Sequence, residues 1–296
     1  MDGAGILGCM TVDPRTELSD FLRSRRARLS PDDVGLPQYG RARRVPGLRR
    51  EELAQLAGVS VAYYTRLEQG NGRNVSTEVL DSIARALRLT DAERDYLGNL
   101  TRSKPQKKKA EPRATVRPAL RHLLEGIAVP AYIGGRRTDI LAWNPMAAAL
   151  FGDWGRLAPR DRNWARLIFL RPEYQGLFVN WENKAADIVA FLRSDAACCS
   201  NDPELAALIG ELSLKSELFR QLWAAHEVKE KSFGTKVLKH PLVGELTLSY
   251  ETLRMPNEPG MFLSTYHAEP GTPSAEGLQL LANWGAGATP SVTTKA

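Results

Sequence analysis

The chain has 296 residues, 43% hydrophobic and 25% charged, with 24 Gly and 18 Pro, and no apolar run long enough to span a bilayer. That excludes a collagen-like, low-complexity or membrane-spanning chain, and at roughly 100–200 residues per domain it predicts two domains. The net charge of +6 is uneven: residues 1–111 carry 20 basic against 15 acidic side chains, residues 112–296 carry 20 against 19, which predicts a polyanion-binding head joined to a near-neutral body.

Residues 1–13 show no periodic pattern and are expected to be a disordered tail. They lack a basic stretch followed by an apolar one, so no export is predicted. The three cysteines, two of them adjacent (Cys198, Cys199), are a poor disulfide framework and fit a reducing cytoplasm. From 14 to 100 the signals are helical. The first helix, 17–29, places Leu18, Phe21, Leu22 and Leu29 on one side, and Ser30-Pro31 stops it. A Pro- and Gly-rich loop follows to 48. Four short helices are then predicted at about 49–57, 61–69, 77–88 and 91–100, the last opened by a Thr90-x-x-Glu93 capping box. Residues 101–115, with six basic residues and two prolines, read as a linker.

The second half, 116–284, mixes strands and helices. A hairpin is predicted at 130–134 and 139–143. Helices follow at 145–151, 162–169, 181–198 and 203–225, with Asn144-Pro145 and Asp202-Pro203 as start signals. Strands are expected at 232–239, 244–254 and 261–268, and a closing helix at 273–284. In the middle strand Leu246, Leu248 and Tyr250 alternate with Thr247, Ser249 and Glu251, so one face is buried. Five strands in hairpin-length steps predict an antiparallel α+β domain. Residues 285–296 read as a tail.

The most informative stretch is 49–70. Leu53, Leu56 and Ala57 form the inner face of one helix, Gly58 makes the tight turn, Val59 fills the interhelical angle, and Ser60 caps a second helix with Tyr64 and Leu67 pointing inward. Two short helices across a three-residue turn containing Gly form a helix-turn-helix. Its second helix would enter the major groove, offering Val61, Ala62, Tyr63, Thr65 and Arg66 to base edges. Arg66 leads this set, because a guanidinium can take guanine O6 and N7 together. Arg49, Arg50, Arg73 and Asn74 are the expected phosphate contacts. Arg41, Arg43 and Arg44, and the Lys107–Lys109 run, are weaker candidates. No pair of histidines has metal-ligand spacing, and there is no C-x-x-C, phosphate loop or G-x-S-x-G element. No enzyme, metal or cofactor is expected.

On these residues the helix-turn-helix resembles the XRE, lambda repressor-like family. The wider chain resembles the MmyB-like regulators of actinobacteria. That resemblance runs through Phe21–Pro31, Val34–Pro37, Pro46–Ala54 and Tyr63–Gly70, then Leu141–Asn144, Gly210–Leu214, His240–Leu248 and Ala268–Gly271. Val75 departs from it, where many relatives have Pro after Asn. The resemblance implies an all-α DNA-binding domain followed by a PAS-like domain with a hydrophobic pocket for a small molecule, such as an acyl chain, and a homodimer reading two half-sites about 34–36 Å apart. All six Trp and seven of eight Phe lie beyond residue 120, which suits such a pocket. Trp143, Phe169, Trp223 and Tyr250 are the candidate lining residues. The alternative reading is a lipid- or partner-binding module only loosely anchored on DNA.

Overall fold

The computed structural model describes residues 13–36, 47–72, 74–102, 115–199, 202–229, 232–258 and 260–286. They divide into two compact units, one of Met1–Ala110 with Ala190–Glu230, the other of Glu111–Val189 with Lys231–Ala296. The stretch 190–230 lies inside the span expected to be one C-terminal domain, yet it packs with the N-terminal helices. The units therefore do not follow a single boundary at 101–115.

In the first unit, helix α1 spans Pro14–Arg28 and starts three residues earlier than expected. Asp13 caps it, and Pro14 takes the first helical position, where its missing N–H is no loss. Helices α2 (Arg50–Leu56), α3 (Val61–Glu68), α4 (Thr77–Ala86) and α5 (Asp91–Thr101) follow. The capping box at Thr90 and Glu93 forms as predicted. These helices enclose one core of Leu18, Phe21, Leu22, Leu53, Tyr64, Leu67, Ile83, Tyr96 and Leu97, which Val228 joins from far along the chain.

The second unit opens with α6 (Pro118–Glu125), a helix the sequence reading passed over. Strands β1 (Ala131–Gly134) and β2 (Ile140–Trp143) form the expected hairpin. Then come α7 (Pro145–Phe151), α8 (Trp164–Leu170), a second unforeseen helix α9 (Pro172–Leu177), and α10 (Trp181–Cys198). The single helix expected over 203–225 is two, α11 (Pro203–Lys215) and α12 (Glu217–Ala224). Ser216 adopts an extended conformation between them and caps the second through Phe219 N–H. Strands β3 (Phe233–His240), β4 (Gly244–Arg254) and β5 (Phe262–His267) and helix α13 (Pro273–Ala286) complete the chain.

The five strands form one antiparallel sheet in the order β2-β1-β5-β4-β3, so the α+β expectation holds. β1 is buried along its whole length, because both its faces are covered. Ala131 and Ile133 pack with Leu120 and Leu124 of α6, while Tyr132, on the opposite side of the pleat, meets Trp154 and Trp164. In β4 the predicted alternation is observed, with Leu246, Leu248 and Tyr250 buried. Helix α13 approaches β4 at Gly277, where a Cβ would stand 2.6 Å from Leu246 Cδ2. Among the described residues no helix is long and apolar enough to cross a membrane.

Candidate nucleic-acid interface and effector site

The turn between α2 and α3 is fixed by backbone chemistry. Gly58 takes φ +66°, a left-handed conformation that costs glycine little. Its N–H bonds to Gln55 O and that of Val59 to Ala54 O, at 3.2 and 3.0 Å, the two bonds of a Schellman ending. Ser60 Oγ then accepts from Tyr63 N–H at 3.1 Å and starts α3. The inner face differs in one residue from expectation. Leu53, Ala54 and Ala57 are buried, whereas Leu56 is 37% exposed, because α2 presents positions 53, 54 and 57 to the core and 56 lies off that stripe.

Helix α3 buries Tyr64 and Leu67 as predicted. Val61, Ala62 and Arg66 are exposed and Tyr63 and Thr65 half-buried, so all five predicted base-reading residues retain access to solvent. The Arg66 side chain makes no hydrogen bond or ion pair among the described residues. Its neighbour Glu68 is occupied elsewhere: its carboxylate is 0% exposed, accepts from Arg26 Nε at 2.9 Å and Nη2 at 2.7 Å, and pairs with Arg50 Nε. Arg26 also donates to Leu48 O at 2.6 Å. Arg50 is thus held by one edge of its guanidinium while its side chain stays 47% exposed. Arg49 lies exposed beside Glu51, 3.5 Å away. Asn74 is exposed at φ +61°. Arg73, Arg41, Arg43, Arg44 and the Lys107–Lys109 run lie outside the described residues.

A second charged cluster in this unit has no counterpart in the sequence reading. Arg193 of α10, 0% exposed, ion-pairs with buried Glu17 of α1. Tyr96 OH donates to the same carboxylate oxygen at 2.5 Å. Burial alone raises the Glu17 carboxyl, but hydrogen bonding by His226, the Arg193 charge and the Tyr96 hydroxyl outweigh it and hold the group at about 2. Burial pushes the Tyr96 phenol well up. The partners are 176 residues apart in sequence, a separation that no local pattern bridges.

In the second unit the aromatic residues converge on Trp154. Its ring is stacked 5.6 Å from Phe151 and meets Tyr132, Trp143 and Trp164 edge-on at 5.5–5.7 Å. The indole N–H groups of Trp154 and Trp164 are buried, the first near the Tyr174 hydroxyl and the second near that of Tyr132. Beside them stands Lys184 of α10, its amine 4.6 Å from the Trp164 ring centre and 5.7 Å from that of Phe178. This amine makes no hydrogen bond or ion pair among the described residues, and nearby Asp187 pairs with Lys236 at 2.6 Å. Desolvation, with Lys236 adding repulsion and Asp187 opposing it, lowers the Lys184 amine to about 7.

The four predicted lining residues do not come together. Trp143 lies against Trp154, Tyr250 lies 6.0 Å from Tyr266, and Phe169 is buried in α8. Trp223 belongs to the first unit, stacked on Phe219 and beneath the Arg193 guanidinium. An open groove of about 550 Å³ in the second unit is lined by Pro172, Gln175, Phe178, Val179, Trp181 and Lys239, among others, and by none of those four. Phe178 contributes both to this groove and to the surroundings of Lys184.

A helix-turn-helix with an open second helix that carries exposed Arg66, followed by an α+β domain with an aromatic centre, defines a two-domain DNA-binding protein with a sensory body. Residues 17–97 match the helix-turn-helix domain family, and residues 116–281, more than half the chain, match the MmyB-like transcription regulator ligand binding domain. The chain belongs to the MmyB-like transcription regulators. A search of curated proteins gives no match.

Proposed function

We propose that this chain is a cytoplasmic, sequence-specific operator-binding regulator that acts as a homodimer and answers to an amphiphilic small molecule. The observation that carries the DNA half is exposed Arg66, its side chain unpaired among the described residues, on a helix whose opposite face is packed. Val61, Ala62, Tyr63 and Thr65 complete the base-reading set. Arg49, Arg50, Arg73 and Asn74 serve phosphate. Arg66→Ala should cost about 1–3 kcal/mol in operator affinity and relax selectivity at one base pair, while Arg50→Ala weakens all sequences alike. Fluorescence anisotropy on operator and scrambled duplexes at fixed salt reads both. Equal losses on the two duplexes for Arg66→Ala would assign it to phosphate and favour a body only loosely anchored on DNA.

The effector half rests on the Lys184 amine, desolvated among the Trp164 and Phe178 rings and without a hydrogen bond or ion pair among the described residues. A desolvated cation without an acceptor is costly, and a ligand that supplies an anionic one recovers that energy. An acyl-like chain with an acidic head suits this site. Such an anion favours protonated Lys184, so affinity should be full below about pH 7 and fall as pH rises beyond it, up to tenfold per unit. Titrating dodecanoate and dodecanol against tryptophan fluorescence should show that preference and pH dependence in the parent and neither in Lys184→Met. Binding of both probes unchanged in the variant would remove Lys184 from the site, and binding of neither would remove the acyl-like effector.

A further inference from the structure

The 190–230 stretch belongs in sequence to the matched ligand-binding domain, but its side chains are built into the DNA-binding unit. The Arg193 guanidinium has one terminal nitrogen on Glu17 and 3.0 Å from His226 Nδ1, and the other on the Trp223 carbonyl. Its flat face covers the Trp223 ring at 4.4 Å. Around it, Arg25 donates to His226 O at 2.6 Å and pairs with Glu93 at 2.7 Å, and Arg28 pairs with Glu227. Val228 enters the core that holds Tyr64 and Leu67 of the recognition helix.

A buried ion pair is a poor device for stability alone, since well-packed apolar residues do as well or better. What it adds is a fixed arrangement, because each charge tolerates only the position of its partner. Here the arrangement fixed is that of α1. Glu17 is taken by Arg193 at one end of this helix. Nine residues on, about 13.5 Å along the axis, Arg26 grips Glu68 at the end of α3. The 190–230 stretch leaves the reading face open, because Val61, Ala62 and Arg66 remain exposed. Its geometry is that of a brace rather than a block.

We infer that Arg193 is a positioning residue for operator recognition, acting through Glu17 and α1 on the setting of α3. The inference rests on the operator-binding reading above and adds to it a residue from outside the helix-turn-helix. Arg193→Met alone strands the Glu17 charge and risks unfolding, so the decisive variant is the neutral pair Glu17→Gln with Arg193→Met, beside Arg193→Lys. The readout is the ratio of operator to scrambled-duplex affinity, corrected for active fraction by stoichiometric titration. Loss of stability alone changes the active fraction but not this ratio. The expected result is a ratio reduced by about 5–150-fold in the double variant, with scrambled-duplex affinity unchanged and partial recovery in Arg193→Lys, which keeps the charge and loses the fork. A double variant with a ratio within about twofold of the parent overturns the positioning role. A parent without a preferred duplex overturns the operator reading itself, so the two failures are separable.

Discussion

Glu68→Ala is expected to lower the unfolding free energy of the first unit by about 3–5 kcal/mol, the range for breaking a buried ion pair from one side. The carboxylate is fully enclosed, and both bonds to its Oε1 come from Arg26, itself only 13% exposed. Removing it leaves a guanidinium with Leu48 O and the neighbouring Tyr64 hydroxyl, no countercharge, and little water to replace it. Arg50 escapes more cheaply because its side chain can turn to solvent. Glu68→Gln keeps the shape and one acceptor and should cost less. Urea unfolding followed by helical circular dichroism measures both. A loss below about 1 kcal/mol for Glu68→Ala would mean that Arg26 finds water and that the pair does not set α1 against α3. Arg50 would also lose its tether, so the variant should bind every duplex more weakly even where it stays folded.

The second large effect is Trp154→Ala, expected to destabilise the second unit by about 3–5 kcal/mol as a large-to-small core replacement. Trp154 is fully buried and shared by four aromatic neighbours from four elements: Tyr132 in β1, Trp143 in β2, Phe151 in α7 and Trp164 in α8. Tyr132, Phe151 and Trp164 cannot move to fill the space without abandoning other rings. The loss should appear as a shifted transition in tryptophan fluorescence, with the helical signal of the first unit changing less. A shift under about 1 kcal/mol would show that the aromatic centre is loosely filled, and would point to an interior that adapts readily to a ligand.

What could be read from the sequence follows the range of the interactions involved. The turn at Gly58, the Ser60 and Thr90 caps and the alternation in β4 are written in adjacent residues, and the structure repeats them closely. Helices α6 and α9 escaped because each is short and begins at a Pro (Pro118, Pro172) with an Arg rather than a capping side chain before it. The break at Ser216 was hidden by apolar residues on both sides, Leu212 and Phe219, which continue a helical rhythm across it. Sequence reasoning could place Arg66 on an outward face, since helical period alone decides that. It could not find that Arg193 meets Glu17, nor that Trp223 sits with Arg193 rather than with Trp143, because both depend on how distant segments return to one another. The unpaired Lys184 is a similar case. Its residue type is ordinary on a helix, and only the surrounding rings make it unusual.

The central claim, an operator-reading helix-turn-helix on a sensory body, is tested most directly by selecting sheared genomic DNA with the purified protein and with Arg66→Ala at near-physiological salt. The parent should enrich a short site with two-fold symmetry, broadened or lost in the variant. Equal retention of all fragments by both proteins, falling with salt at a slope set only by the number of phosphates neutralised, would contradict it.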